Sequence, residues 1–226
     1  MSSSVDGIVK ELRKFTTCDI CDALIKINSS RVKHGGFLPG LTMWSPQRQE
    51  GETKIVGPAY TVKYVPLDDP RPKFPSHYID SIPEGAVIFV SSPQTPNAVY
   101  GGLMSTRAIV NMAAGAVIGG RFRDLEEQRM QNFPVFARDI GTAPPYETVK
   151  IVAVNEPVKF QVDGREEIVE PGDYLMADLH GVVVLPASLA QQALPLMEKQ
   201  AKVDSQVSAA MKVGMPFEEA CEEFRG

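Results

Sequence analysis

The first apolar residues of the chain recur with the spacing of one helix face. They are Val5, Ile8, Val9, Leu12 and Phe15. A second helix is predicted over residues 18–27, because Thr16 or Thr17 can cap its first turn. Residues 28–51 are rich in Gly, Ser and Pro, which predicts a loop.

The central part of the chain alternates short apolar runs with longer amphipathic segments. Strands are predicted at residues 54–65, 86–91, 116–118 and 135–139. Helices are predicted at residues 103–114 and 124–131, and loops at residues 92–102 and 119–123. From residue 86 onward this β-α-β-α-β order predicts parallel strands, whose outgoing loops gather at one carboxyl edge. That edge should bring Gly101-Gly102 close to Arg123-Asp124.

Short strands with tight turns are predicted after Pro144-Pro145. They cover residues 149–154, 158–162, 167–169, 174–178 and 182–185, with one turn at Asp163-Gly164. Such a series is typical of an antiparallel or barrel-like layer packed against a parallel sheet. A long helix is predicted at residues 188–213 and a short one at residues 217–224.

Together these elements predict an α/β fold in one domain of residues 1–226, with a partly parallel sheet and additional short antiparallel strands. We expect N-terminal helices at residues 1–27, an α/β core at residues 54–186 and a C-terminal helical tail at residues 188–226. We also expect the long helix to reach a neighbouring subunit.

Composition narrows the classes of function. The net charge of −5 over 226 residues disfavours a nucleic-acid partner, because such proteins usually carry a basic surface. The sequence has no apolar run near the length of about 18 residues that a membrane span needs. Nothing at the first residues resembles a signal peptide, and three cysteines are too few for a disulfide framework, so we expect a cytoplasmic protein.

The first candidate site is Gly101-Gly102, directly before the helix that begins with Leu103 and Met104. The first N–H groups of a helix lack partners within it, and the helix dipole adds positive potential, so a carboxylate or phosphate can bind there. The alternative is that the two glycines merely permit a tight loop. The stretch is neither a Walker loop nor a dinucleotide fingerprint, because the required lysine and third glycine are missing.

The second candidate is Arg123-Asp124, at the end of a buried strand. A guanidinium can hold a carboxylate with two hydrogen bonds and stabilise a developing oxyanion. Asp124 can hold Mg²⁺ or Mn²⁺, which keep most of their waters when few carboxylates bind them. The alternative is an N-cap of the following helix. Arg123 also belongs to a basic group that surface solvation can explain in part: Arg107, Arg121, Arg123 and Arg129.

Other catalytic motifs have little support. Cys18 and Cys21 form a lone C-x-x-C inside a predicted helix, where packing explains them better than redox or zinc chemistry. The histidines are scattered, and no serine or cysteine lies in a nucleophile elbow.

Several blocks, in order, resemble one known family: residues 17–24, 57–62, 101–108, 114–124, 133–137, 171–173 and 178–186. The family is that of the 4-hydroxy-4-methyl-2-oxoglutarate aldolases and regulator of ribonuclease activity A. The resemblance implies a swivelling β/β/α-type core, assembled as a homotrimer or a dimer of trimers with active sites between subunits. Each block alone is weak, and their combination is specific.

For the aldolase members, the resemblance implies a divalent-metal lyase that releases pyruvate from 4-hydroxy-2-oxo acids and decarboxylates oxaloacetate. It implies that Arg123 and Asp124 are catalytic and that Asp124 holds the metal, Mg²⁺ or Mn²⁺. The pyruvate moiety would be bound by Gly101, Gly102, Leu103, Met104 and Arg123. The general base is not identified, and a metal-bound water is the best candidate.

The chain departs from the resembled pattern at two places. Many aldolase members carry an acidic residue where Gly102 stands, and Asp-Gly where Gly119-Gly120 stands. A carboxylate of a neighbouring subunit can supply what is missing, with Glu198 and Asp204 as candidates. Two other functions stay open: a non-catalytic regulator that binds a protein such as a ribonuclease, and a metal-dependent hydrolase of diketo acids.

Overall fold

The computed structural model describes residues 2–162 and 164–225. Its helices are α1 (Ser2–Leu12), α2 (Thr17–Ile27), α3 (Gly102–Val110), α4 (Leu125–Met130), α5 (Ala190–Lys212) and α6 (Phe217–Arg225). Its strands are β1 (Phe37–Leu38), β2 (Thr42–Ser45), β3 (Ile55–Pro66), β4 (Val87–Ser91), β5 (Ala98–Tyr100), β6 (Gly115–Phe122), β7 (Val135–Ile140), β8 (Val149–Val154), β9 (Val158–Val162), β10 (Arg165–Val169), β11 (Tyr174–Asp178) and β12 (Gly181–Leu185).

The main sheet runs in the order β1-β12-β11-β3-β4-β6-β7-β2, with β5 paired to β6 and β8 paired to β3. Its centre is parallel, because β3, β4, β6 and β7 pair in one direction. Antiparallel strands flank this centre, and β9 and β10 form a separate hairpin. The predicted α/β class, with a partly parallel sheet, antiparallel strands and a long C-terminal helix, is therefore confirmed.

Buried apolar side chains cover both faces of this sheet. One face, which includes Tyr78 and Phe122, packs beneath the α3–α4 region, and the other includes Phe89 and Phe136. A third cluster joins α1, α2 and α5 to the β11–β12 side of the sheet. β4 is buried over four of its five residues, as expected for a central strand covered on both faces.

The first helices are held by caps that the sequence indicates. Thr16 accepts a hydrogen bond from the Asp19 N–H while the Asp19 side chain accepts one from the Thr16 N–H, so Thr16 and not Thr17 is the cap. Buried Asp178 accepts hydrogen bonds from the Thr17 N–H at 2.9 Å and the Thr17 hydroxyl at 2.7 Å. This contact fixes α2 against β11, across 161 residues of sequence.

Three segments predicted as loops contain strands. Residues 28–51 hold β1 and β2, residues 92–102 hold β5, and the predicted loop 119–123 is mostly the end of β6. The two-glycine stretch in β6 is a site of close packing, since a Cβ at Gly119 would lie 2.8 Å from the Val90 carbonyl oxygen. Glycine permits that approach, so its presence did not indicate a turn.

Two further predictions need comment. The helix predicted over residues 103–114 ends earlier, at Val110, where α3 gives way to a turn before β6. The predicted turn at Asp163-Gly164 includes residue 163, which lies outside the described residues. Within residues 2–162 and 164–225, no helix has both the length and the apolar character needed to cross a membrane.

Candidate functional site

The two candidate motifs meet where β5 and β6 end. These strands pair in parallel, with Tyr100 beside Phe122, so the residues that follow each strand become neighbours. The Arg123 N–H donates to the Tyr100 carbonyl oxygen at 2.9 Å, which holds the two chain segments together. The structure therefore places Gly101-Gly102 beside Arg123-Asp124, as the parallel topology predicts.

Asp124 does not cap its own helix. It precedes α4 with a left-handed backbone, at φ 63°, and its carboxylate makes no capping hydrogen bond there. Its Oδ2 instead accepts a hydrogen bond from the Gly102 N–H at 2.9 Å, at the start of α3. Asp124 thus holds the N-cap position of α4, but the predicted alternative of capping by its side chain is wrong. The left-handed conformation, unusual for a residue with a side chain, directs the carboxylate to the neighbouring helix.

That hydrogen bond changes the predicted anion cradle. The Gly102 N–H is already engaged by Asp124, and the Met104 and Ser105 N–H groups donate to the Gly101 carbonyl oxygen at 3.0 and 3.3 Å. The Leu103 N–H makes no hydrogen bond with any described residue, so it is the group of this turn left for a ligand. The first turn of α3 therefore offers an anion fewer N–H groups than the sequence predicts.

Arg123 lies beside Asp124, with 3.6 Å between Nε and Oδ2. Its terminal guanidinium nitrogens make no hydrogen bond with any described residue, so they can receive an anionic ligand. The other arginines of the basic group have separate partners. Arg107 pairs with Asp80, Arg121 pairs with Asp139, and Arg129 donates to the Trp44 carbonyl oxygen. The four arginines therefore do not converge on one site.

Both glycines of the motif are crowded. A Cβ at Gly101 would lie 2.8 Å from Oδ2 of Asp124, and a Cβ at Gly102 would overlap Oε2 of Glu127. Asp124, just before α4, and Glu127, within α4, therefore both direct their carboxylates toward the first turn of α3. A side chain at position 102 would therefore displace the carboxylate at the flexible end of Glu127.

α3 and α4 are joined below this contact. The Ser105 hydroxyl hydrogen-bonds to the Tyr100 hydroxyl at 3.1 Å and to the Gln128 side-chain oxygen. Gln131 donates to the Thr106 hydroxyl at 3.0 Å. Since Ser105 and Gln128 are fully buried, this network holds the first turns of the two helices in register.

A cavity of about 400 Å³ opens at this junction. It is lined by Tyr64, His77, Ala98, Val99, Tyr100, Gly101, Leu103, Met104, Arg123, Asp124, Glu127 and Pro145. All the residues predicted for substrate binding and catalysis line it except Gly102, which is buried beside it. Sequence reasoning missed Tyr64, His77 and Glu127. The i, i+3 spacing from Asp124 could have indicated Glu127, whereas no local pattern marks the other two.

Burial shifts the pKa values of three side chains that line the cavity. It lowers the pKa of His77 and raises the pKa of Tyr64 and Tyr100. His77 Nδ1 accepts a hydrogen bond from the Ile79 N–H at 3.4 Å, so in the neutral ring the proton is on Nε2. The Tyr64 O–H donates to the Val99 carbonyl oxygen at 3.2 Å, so of His77 and Tyr64 it is His77 that has a donor left for a ligand.

The carboxylates of α5 are outside this cavity. Asp204 is held by Arg225 at 2.6 Å and by Gln200 at 2.8 Å within its own chain. Among the described residues, no group of three or more His, Cys, Asp or Glu side chains is arranged to hold a metal ion. The acidic groups of the cavity are Asp124 and Glu127.

The family model described as RraA-like, Aldolase/RraA, matches residues 17–184, which include every residue of the cavity. The chain belongs to the RraA-like family. The match covers the sheet from α2 to β12, and the family resemblance drawn from the sequence blocks is confirmed.

Three proteins illustrate the relationship of this RraA-like chain to known sequences and structures. Protein DlpA of Legionella pneumophila is 29% identical over 226 residues, 99% of this chain and 34% of DlpA, so the chain spans about a third of DlpA. A protein of Halalkalibacterium halodurans, provisionally named 4-hydroxy-4-methyl-2-oxoglutarate aldolase, is 26% identical over 200 residues, 88% of this chain and 86% of that protein. The crystal structure of an uncharacterized protein from Pseudomonas syringae has a TM-score of 0.78 and 28% identity, over 95% of this chain and 96% of that one.

Proposed function

We propose that this RraA-like chain is a divalent-metal-dependent carbon–carbon lyase. It would cleave 2-oxo acids like 4-hydroxy-4-methyl-2-oxoglutarate to pyruvate, and would decarboxylate oxaloacetate. The observation that carries the proposal is the meeting of the Arg123 guanidinium and the Asp124 carboxylate with the first turn of α3, inside one cavity. The provisional aldolase name of the Halalkalibacterium relative supports the same chemistry.

The pyruvate half of the substrate fits the positive side of the cavity. Its carboxylate can accept hydrogen bonds from the Leu103 N–H and from the free nitrogens of Arg123. Gly101 keeps the backbone open, because a side chain there would lie against Asp124. The neighbouring Leu103 and Met104 side chains then contact the apolar part of the substrate.

The Asp124 carboxylate suits a hard divalent cation. Mg²⁺ is commonly held by one or two carboxylates together with substrate oxygens and several waters, so Asp124 alone is sufficient. The Gly102 N–H engages Oδ2 of Asp124, which orients the carboxylate. When bound, Mg²⁺ or Mn²⁺ would supply Lewis-acid stabilisation of negative charge on the 2-oxo oxygen.

Both reactions end in the same pyruvate enolate. In aldol cleavage the C3–C4 bond breaks, and in decarboxylation carbon dioxide leaves C3. Each step moves an electron pair toward C2 and places negative charge on the 2-oxo oxygen. Arg123 provides a fixed positive charge for that oxygen, and buried Tyr64 and Tyr100 keep water from one wall of the cavity.

The test is pyruvate release from oxaloacetate and from a panel of 4-hydroxy-2-oxo acids, with Mg²⁺, with Mn²⁺ and with excess chelator. We expect turnover with either metal and its loss in chelator, restored by adding metal back. Product analysis separates a lyase from a hydrolase of diketo acids. Equal turnover in chelator, above the rate without protein, would contradict the proposal.

We also propose that the chain acts as a homotrimer or a dimer of trimers, with α5 of one copy reaching the cavity of the next. Large apolar side chains stand exposed on α3 and α4: Leu103, which lines the cavity, at 74%, and, at the far ends of the two helices, Val110 at 64% and Met130 at 73%. Glu198 remains the candidate for a carboxylate from the neighbour, since Asp204 is paired with Arg225. A monomeric mass by light scattering would contradict this assembly.

The same exposed side chains favour a second candidate function, a non-catalytic regulator that binds a protein such as a ribonuclease. An apolar surface beside a cavity is a common feature of protein contacts. The two functions separate in one comparison. If the protein is a regulator, the unmodified protein and the Asp124→Asn variant should inhibit a purified ribonuclease equally well, and neither should release pyruvate. If it is a lyase, the unmodified protein should show metal-dependent turnover.

A further inference from the structure

The Glu127 carboxylate lies at the edge of the cavity, against the first turn of α3. Its Oε2 occupies the space of a Cβ at Gly102, and its Cδ lies 2.9 Å from that same position. Gly102 also donates its N–H to Asp124, so the Asp124 and Glu127 carboxylates both lie against this one residue of α3. Both acidic side chains therefore line the same cavity.

The two carboxylates differ in their partners. Asp124 accepts the Gly102 N–H and lies beside Arg123. The Glu127 carboxylate makes no hydrogen bond or ion pair with any described residue. Asp124 is thus oriented by the backbone and by a guanidinium, whereas Glu127 retains free lone pairs on both oxygens and can accept a proton.

The other polar side chains of the cavity are unsuited to accept a proton. The Nδ1 atom of His77 is occupied by the Ile79 N–H, which leaves the protonated Nε2. Tyr64 and Tyr100 are buried, and that burial favours their neutral phenol forms. The Arg123 guanidinium carries N–H donors and has no acceptor atom.

We propose that Glu127 is the general base of aldol cleavage, and this assignment rests on the proposed function. The 4-hydroxyl O–H bond breaks and its proton passes to the Glu127 carboxylate, while the oxygen forms the new C4 carbonyl. The C3–C4 electron pair becomes the C2–C3 double bond of the enolate, and the 2-oxo oxygen takes the negative charge. Protonated Glu127 then returns the proton to C3, which completes pyruvate.

Decarboxylation of oxaloacetate does not require a general base. Its scissile bond carries a carboxylate and no hydroxyl, so no proton has to be removed before carbon dioxide leaves. The resulting enolate can be protonated by water. A base for the 4-hydroxyl should therefore be needed in one reaction and dispensable in the other.

The experiment compares both reactions in the full-length Glu127→Gln variant at saturating metal. We expect cleavage of 4-hydroxy-4-methyl-2-oxoglutarate to fall on the order of 10²–10⁴-fold, with oxaloacetate decarboxylation close to that of the unmodified protein. The matched control is Glu126→Gln, an exposed glutamate on the same helix outside the cavity, which should leave both rates unchanged.

A second pair of variants moves the carboxylate from α4 to α3. Glu127→Ala removes the carboxylate that overlaps a Cβ at Gly102, so adding Gly102→Asp to it returns an acid to this side of the cavity from the first turn of α3. We expect the double variant to recover cleavage relative to Glu127→Ala alone. In the otherwise unmodified protein, Gly102→Asp should displace the Glu127 carboxylate from its place against α3 and so lower the rate of cleavage.

Three results would overturn the assignment. They are unchanged cleavage in Glu127→Gln, an equal loss of cleavage and decarboxylation, or a double variant no more active than Glu127→Ala. An equal loss would indicate a role in metal or pyruvate binding shared by both reactions. If the unmodified protein releases pyruvate from neither substrate, the proposed function itself fails, and this result is distinct from the other three.

Discussion

Replacing Asp124 by asparagine is expected to lower metal-dependent pyruvate release on the order of 10³-fold for both oxaloacetate and 4-hydroxy-2-oxo acids. The amide oxygen of asparagine can still accept the Gly102 N–H that Asp124 holds at 2.9 Å. The variant therefore keeps the link between α3 and α4 and loses the charge. Steady-state rates over a range of Mg²⁺ concentrations, with calorimetric titration of the metal, give the measurement.

Two further variants test whether the loss of activity is specific to the cavity. Asp124→Ala removes both the charge and the hydrogen bond, so it should lose activity and also some thermal stability. Asp139→Asn changes an acid that pairs with Arg121 at the edge of the sheet, outside the cavity, and should retain near-normal turnover. Full activity of a folded Asp124→Ala protein would refute the role of Asp124 as metal ligand.

Replacing Arg123 by methionine is expected to reduce kcat/KM for pyruvate release on the order of 10²–10³-fold. Methionine approximates the apolar stem of arginine and removes the guanidinium, whose terminal nitrogens are free in the described part of the chain. Part of the loss should appear in KM, through the substrate carboxylate, and part in kcat, through the 2-oxo oxygen. Separate kcat and KM values from initial rates test this division.

Lysine at the same position should restore only part of the rate, because a point charge cannot reproduce two parallel hydrogen bonds. The matched control is Arg107→Met, since Arg107 is on α3 but pairs with Asp80 at 2.7 Å, away from the cavity. A loss of activity in that control equal to the loss in Arg123→Met would show that surface charge, not contact with substrate, is responsible.

The proximity of the two site motifs could be predicted from the sequence because it depends on the order of strands and helices. Short buried strands joined by helices give parallel pairs, and parallel pairs bring their outgoing loops to one edge. Gly101 and Arg123 could therefore be placed together before any contact was known. The same local reasoning was wrong at Gly119, which was predicted to lie in a loop. Gly119 instead lies in β6, where the absence of a side chain allows the Val90 carbonyl oxygen of β4 to approach closely.

The long-range parts of the site could not be derived in this way. Tyr64, on β3, and His77, in the loop between β3 and β4, line the cavity although neither belongs to a recognisable motif. Tertiary packing determines their positions. Capping of α4 by the Asp124 side chain was a reasonable alternative from position alone. It is wrong because a left-handed backbone at φ 63° directs the carboxylate to α3.

For this protein, the sequence by itself determined the alternation of β4, α3, β6, α4 and β7 and the meeting of the glycine and Arg-Asp motifs, but not the short strand β5 between β4 and α3. These features follow from hydrophobic periodicity and chain connectivity, which are local properties. Only the tertiary structure decided which groups are engaged and which are free. Among the described residues, the Gly102 N–H binds Asp124, the Leu103 N–H has no partner, and the Glu127 carboxylate lies against Gly102. Contacts between α3 and α4 set these relations, and no local pattern encodes them.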